Sequence, residues 1–109
     1  MGKVNLLVKY CLRNEKVEYN IKGILIDNKI KFKDSSYTMI LDFNHNTLER
    51  SNKDSKIIFD FKKEMCFIVE ETYNVEFKIL VIDLIINKNY FYVKYQIEKD
   101  LFEIEIKLI

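Results

Sequence analysis

The last two strands predicted from the sequence decide the fold of the chain. Residues 101–108 read LFEIEIKL, and residues 91–98 just before them read FYVKYQIE. Every second position in both stretches carries a bulky apolar or aromatic side chain, and this period of two places those side chains on one face of an extended strand. Only Lys99 and Asp100 are left to connect the two strands. We therefore expect a two-residue loop and an antiparallel hairpin.

The same alternation runs backwards through the rest of the chain. It is clear in residues 4–12, 17–21, 37–43 and 57–61, and short clusters rich in Asn, Asp, Ser and Lys separate the segments. No segment has the 3.6-residue period of an amphipathic helix. About nine or ten short strands in this order are typical of an antiparallel meander that closes into a barrel or a sandwich. Closure is expected because it removes long apolar edges, which aggregate.

Composition supports a single β domain. The chain has 109 residues, of which 49% are hydrophobic and 14% aromatic, and a core of this size needs no disulfide. The sequence contains no Pro, no Trp and no Ala, and only two Gly. Turns must therefore use Asn, Asp and Ser, which tolerate left-handed backbone angles. Gly23 lies inside a strand pattern, where a glycine predicts a bulge or a sharp bend.

The charge balance and the lengths of the apolar runs indicate whether the protein binds nucleic acid or a membrane. Lys and Arg number 18 against 17 Asp and Glu, and the only arginines are Arg13 and Arg50. This balance predicts no nucleic-acid partner. The longest apolar stretch, residues 79–86, is interrupted by Asp83, and a membrane span needs roughly 20 apolar residues. Since no signal peptide is recognised either, we expect a cytoplasmic protein with no membrane contact.

Candidates for chemistry are few. Cys11 and Cys66 lack the further ligands of a zinc site and are expected as free thiols that point outward. His45 is the only histidine and falls in a predicted turn, and the chain has no GxSxG nucleophile motif. The sequence thus predicts no catalytic residue, no metal site and no cofactor, and we interpret the protein as not an enzyme.

One charged position inside the predicted barrel has two interpretations. Glu70 and Glu71 are adjacent in a strand, so their side chains point to opposite faces. A carboxylate that points inward near Arg50 must be paired, because an isolated buried charge is costly. Such a pair is either a structural ion pair or an anchor for the polar head of a ligand.

Three segments in the second half of the chain carry a family resemblance. They are TLERS at residues 47–51 followed by KIIFDF at residues 56–61, ET at residues 71–72 leading to FKI at residues 77–79, and VKYQI at residues 93–97. With Arg50 and Tyr95 as the main matches, this half resembles a small calycin-like β-barrel family of bacterial proteins of unknown function, the YwiB-like family. The resemblance implies an antiparallel up-and-down barrel of lipocalin-like shape, and it brings no activity and no catalytic residues.

Pattern and resemblance together predict one all-β domain over residues 1–109, an up-and-down barrel of about 8–10 strands. The interior of such a barrel holds side chains or one small ligand. The side chains expected inside are all bulky: Phe59, Phe61, Phe67, Phe77, Phe91, Tyr95 and Phe102. We therefore expect these rings to fill the barrel.

Two functions follow from this fold. The first interpretation is a non-catalytic interaction or structural module. Its candidate surface for a homodimer is the apolar outer face near residues 80–86, formed by Leu80, Ile82, Leu84 and Ile86. The alternative is a small binding protein that holds an apolar or amphipathic ligand in the barrel. For that function the candidate ligand contacts are Arg50, Glu71 and Tyr95.

Overall fold

The protein is an antiparallel β-barrel. The computed structural model describes residues 2–109, and within this range the chain forms only strands, turns and short connections. The strands are β1 (Gly2–Leu12), β2 (Glu15–Ile26), β3 (Lys29–Asp34), β4 (Tyr37–Asp42), β5 (Thr47–Ser51), β6 (Ser55–Asp60), β7 (Met65–Glu70), β8 (Asn74–Lys78), β9 (Leu80–Asn87), β10 (Tyr90–Ile97) and β11 (Asp100–Leu108). The prediction of an all-β antiparallel fold is confirmed.

One continuous run of chain nearly closes the barrel. Strands β1 to β8 follow one another as a meander, β1 pairs with β11, and β10 lies between β11 and β9. Strands β8 and β9 are separated by Ile79 alone, yet β8 pairs with β7 while β9 pairs with β10. The run 74–87 therefore joins the two edges of the sheet. The change of partner at Ile79 also explains why eleven strands form where fewer were predicted.

At one end of the barrel, successive turns are bonded to each other. Three backbone hydrogen bonds of 3.0 Å link them, from Phe43 N–H to Asn28, from Phe61 N–H to Asn46 and from Ile79 N–H to Glu64. The side chains of Phe61 and Ile79 are buried. We call this end, formed by residues 27–28, 43–46, 61–64 and 79, the closed end. The side chains of Phe61 and Ile79 fill the interior at this end, and backbone hydrogen bonds connect the turns around them.

The opposite end is looser. Its turns lie at residues 13–14, 35–36, 52–54, 71–73 and 98–99, and the backbone bonds there, such as Asn52 N–H to Ser55, stay within one turn. Strand β2 pairs with β3 only over its last residues, 23–26, so that residues 15–22 pair with β1 alone. We call this the open end.

Outside β7 and β9, the core side chains predicted from the alternation point inward. The ring of Phe61 lies 5.8 Å from that of Phe91 and 5.6 Å from that of Tyr95, measured between centroids. Since Phe61 follows β6 and the other two belong to β10, these contacts span the barrel interior. Phe59, Phe77 and Phe102 pack against the same core.

The faces predicted for β7 were wrong. Cys66 is buried and Phe67 is not part of the core, whereas the sequence predicted the reverse. Residues 65–69 are apolar on both faces, so their alternation does not identify the inner one. The pairing of Cys66 with Phe59 and Phe77, which both point inward, fixes the face instead.

The outer face predicted for β9 was wrong in part. Leu80 and Ile82 are exposed, but Leu84 and Ile86 pack against the core and Ile85 is exposed instead. A bulge opposite Lys94 and Tyr95 leaves Ile82 without a partner, and this extra residue reverses the alternation.

Gly23 does not mark a bulge. Strand β2 pairs regularly through it, with Val4 on one side and Phe32 on the other. A Cβ atom at Gly23 would lie 2.9 Å from Leu6 Cδ1 and 3.0 Å from the carbonyl oxygen of Lys31. The glycine is needed because a buried leucine and a neighbouring backbone approach it too closely for a side chain.

The residue types that adopt left-handed backbone angles in the turns were predicted in part. Positive φ angles occur at Asn14, Asp27, Asn28, Ser35 and Asn46, as expected for turns without glycine, but also at Arg13, Glu64 and Glu98. The last hairpin turns at residues 98–99 instead of at Lys99 and Asp100, because Ile97 pairs with Asp100 and Glu98 adopts the left-handed conformation.

Candidate functional site

A cavity of about 340 Å³ lies inside the open end of the barrel. Most of its wall is apolar, and the polar groups on it are few. The apolar part includes Val8, Leu12, Phe32, Met39, Leu48, Phe59, Phe102, Ile104 and Ile106. The polar part includes Tyr10, Cys11, Tyr19, Asp34, Arg50, Tyr95 and Glu103. This combination of size and lining is typical of a small-molecule site.

The expectation that rings fill the barrel describes only one half of it. At the closed end Phe61 and Phe91 pack together. Toward the open end the wall carries shorter or flexible side chains, such as Val8, Met39 and Leu48, which leave space. An eleven-stranded wall also encloses a wider interior than a barrel of about eight strands, whose side chains fill it.

Arg50 lies on β5 and points to the inner side with Leu48. The central carbon of its guanidinium lies 3.8 Å from the centroid of the Tyr37 ring, in a cation–π contact. Within residues 2–109 the guanidinium has no carboxylate partner at ion-pair distance. Its N–H donors are oriented by the ring and remain available.

Tyr95 contributes a second available group. The residue is only 4% exposed, and its hydroxyl makes no hydrogen bond to any described residue. No fully buried side-chain oxygen or nitrogen of the described residues lacks a partner, so this hydroxyl must be reachable from the cavity that Tyr95 lines. Burial raises the pKa of Tyr95 well above its usual range, so the phenol stays neutral and can donate its O–H.

Asp34 and Tyr19 belong to the site although sequence analysis did not propose them. Burial, and after it the carboxylate of Asp34, raise the pKa of Tyr19 well above its usual range. The cluster Asp34-Ser35-Ser36 is typical of a turn, yet Asp34 continues the alternation of Ile30 and Phe32, which places it on the inner face.

The structure brings two of the three proposed ligand contacts together. Arg50 and Tyr95 line the same cavity, whereas Glu71 is exposed in the turn between β7 and β8 and does not line it. His45 lies at the closed end, where its Nδ1 is 2.9 Å from the Asp42 carboxylate. The histidine is therefore at the opposite end of the barrel from the cavity.

A second depression, of about 360 Å³, lies on the outer side of the barrel beside β1, β2 and β11. Two of its polar groups bond to each other, since the Tyr92 hydroxyl donates to Glu103 at 3.0 Å. Groups that already satisfy one another offer less to a ligand than the free donors of the internal cavity.

Residues 2–109 offer neither a cluster of metal ligands nor a helix that could cross a membrane. Nowhere in this range do three or more His, Cys, Asp or Glu side chains come together in a way that could hold a metal ion. The same range contains no helix with the length and apolarity that a membrane crossing requires.

Comparisons with protein-family models, with curated proteins and with solved structures found no match to this chain. The resemblance to the YwiB-like family therefore stays a prediction.

Proposed function

We propose that this chain is a small binding protein that holds an amphipathic ligand in the cavity at the open end. The observation that carries the proposal is the lining of that cavity. Apolar walls surround it, and Arg50 and Tyr95 present hydrogen-bond donors that have no partner within residues 2–109. Ligand sites combine a largely apolar wall with a few oriented polar groups in this way.

The cavity's shape suggests how the ligand lies. The apolar body would rest against Phe59, Phe102 and Ile104, and the polar head would face Arg50 at the mouth. Burial of the body supplies most of the affinity, at about 25 cal/mol per Å² of apolar surface. The guanidinium orients the polar head of the ligand, since it is already held over the Tyr37 ring.

A dye titration tests the proposal. The dye anilinonaphthalenesulfonate has an apolar body and an anionic head, and we expect one molecule to bind per chain with increased fluorescence. Ile104→Trp places a large ring in the cavity and should abolish this binding. The matched control is Lys107→Trp, because Lys107 is exposed on the same strand and does not line the cavity.

The two variants distinguish a dye bound in the cavity from a dye bound elsewhere on the protein. Loss of binding in the first variant alone supports the proposal, provided that both variants keep the circular dichroism spectrum of the wild type. Equal binding by both variants would show that the dye sits elsewhere. Native mass spectrometry of the purified protein adds an independent measurement, since a ligand that co-purifies appears as an added mass.

A second candidate function, an interaction module that forms a homodimer, is favoured by one surface feature. Leu80, Ile82 and Ile85, which we call the β9 patch, are 56%, 48% and 45% exposed. Clustered exposed apolar side chains are typical of interaction sites. The double variant Leu80→Lys, Ile82→Lys should then abolish a dimer seen by sedimentation. Leu101→Lys, at another exposed leucine, should leave the dimer unchanged.

A further inference from the structure

The cavity carries charges of both signs, and this narrows the ligand class of the proposed function. Arg50 and Asp34 both line the cavity. The ion pairs found within residues 2–109 include neither of them. Asp34 is half-buried beside the Tyr19 hydroxyl, which hydrogen-bonds to it, and Arg50 is exposed. Since the two charges do not pair with each other, the carboxylate keeps further acceptor capacity and the guanidinium keeps its donors for a ligand.

Strand register shows how far apart these two charges lie. Phe32 pairs with Met39, and Met39 pairs with Arg50, so Arg50 is two strands away from β3, or about 10 Å. Asp34 lies two residues beyond Phe32, about 7 Å further along β3 and on the same inner face. Both side chains therefore face the same cavity from positions on either side of β4.

Tyr37 directs Arg50 toward Asp34. Tyr37 is the residue that pairs with Asp34, and the Arg50 guanidinium lies over its ring. The guanidinium therefore leans across β4 to the side where Asp34 lies. The rings of Tyr10 and Tyr19, in edge contact at a centroid distance of 6.2 Å, form the adjacent wall. Aromatic walls also favour a cationic group.

We propose that the ligand is a zwitterionic amphipath of the apolar α-amino acid class. Its carboxylate accepts hydrogen bonds from Arg50, its ammonium donates to Asp34, and its side chain occupies the apolar part of the cavity between Phe59 and Phe102. This inference rests on the proposed function, because it concerns the same cavity, but it makes the stronger claim that both charges are recognised.

Three compounds with the same apolar body test the inference. They are the free amino acid phenylalanine, phenylpropionate, which lacks the ammonium, and phenethylamine, which lacks the carboxylate. In calorimetry or in displacement of anilinonaphthalenesulfonate, we expect wild-type protein to bind the amino acid at least tenfold more tightly than either relative.

Two variants assign the contacts. In Arg50→Gln the amino acid should lose its advantage over phenethylamine but keep its advantage over phenylpropionate. In Asp34→Asn the opposite pattern is expected. Both side chains lie at the mouth of the cavity, so neither variant should change the circular dichroism spectrum.

The results distinguish the inference from the function on which it rests. If the dye binds in the cavity but phenylpropionate or phenethylamine binds as tightly as the amino acid, or none of the three binds, the zwitterion is excluded and the binding function stands. If neither the dye nor any of the three compounds binds, both proposals are overturned.

Discussion

The two ends of this barrel differ in how their turns are connected. At the closed end, turns donate backbone hydrogen bonds to one another, and Phe61 and Ile79 fill the interior. At the open end the backbone hydrogen bonds stay within one turn, the side-chain ion pair of Arg13 and Asp100 links two neighbouring turns, and residues 15–22 of β2 pair with β1 alone. The internal cavity lies at this open end. The closed end is therefore expected to contribute more to stability, and the proposed ligand site lies at the other end of the same sheet.

The largest expected effect comes from removing a ring at each end. Phe61→Ala should lower the free energy of unfolding by about 3–5 kcal/mol, because it leaves a void in a tightly packed interior. Phe102→Ala, at a half-buried ring that lines the cavity, should cost only about 1–2 kcal/mol, since that wall already faces open space. Urea unfolding measures both. If both variants lost the same free energy of unfolding, the interior would be equally well packed at both ends, contrary to this comparison.

The next largest effect on stability is expected at Gly23, which lies where β2 begins to pair with β3. Gly23→Ala should destabilise the protein by about 1–3 kcal/mol, because the added methyl group meets Leu6 and the Lys31 backbone. Gly2→Ala is the matched control, since nothing lies within 4 Å of a Cβ there, and its effect should be close to zero. If Gly23→Ala were also neutral, the packing described around Leu6 would be incorrect.

Acid should weaken the closed end through Asp42. Burial alone would raise the pKa of this carboxyl, but the hydrogen bonds from the His45 side chain and from the backbone N–H groups of Asn44 and His45 hold the pKa below its ordinary value. A depressed pKa in the folded state means that the stabilisation is present above the ordinary pKa and is lost as the pH falls through the folded one.

Asp42→Asn should therefore cost about 1–2 kcal/mol at pH 7. The difference from the wild type should disappear well below about pH 4, the ordinary pKa range of aspartate. Chemical unfolding of both proteins across this pH range is the measurement. A difference that persists undiminished in strong acid would mean that the carboxylate charge is not what stabilises the turn.

The smallest effect concerns two exposed glutamates in turns at opposite ends. Glu64 accepts a hydrogen bond from the Val81 N–H at 3.0 Å, close to the point where the chain changes its pairing from β7 to β10. Glu64→Ala should cost about 1 kcal/mol and Glu64→Gln less, because the amide oxygen can still accept. Glu71→Ala, at the open end, should be neutral. A matching loss at Glu71 would contradict the comparison.

Much of the fold could be predicted from local patterns. The alternation in residues 91–108 places Phe91, Val93, Tyr95 and Ile106 inside, as observed. Where both faces of a strand are apolar, as in β7, alternation carries no information, and the inner face depends on the pairing with β6. The bulge at Ile82 is a property of two strands together, so the sequence of β9 alone could not predict it.

The candidate site was predictable only in part. Arg50 and Tyr95 stood out in the sequence, but the space between them arises from the width of the barrel and from side chains on eight strands. Asp34 could have been recognised by continuing the alternation of β3. Glu71 was misplaced because β7 ends at Glu70, one residue before it, so its position depends on a turn that alternation does not describe.

The most direct measurement is a nuclear magnetic resonance titration of the isotope-labelled protein with anilinonaphthalenesulfonate. Amide shifts should concentrate around Tyr19, Asp34, Arg50, Phe102 and Ile104, which surround the cavity, while residues 43–46 and 61–64 at the closed end stay unchanged. Shifts confined to the β9 patch, or no saturable shifts at all, would contradict a ligand site inside the open end.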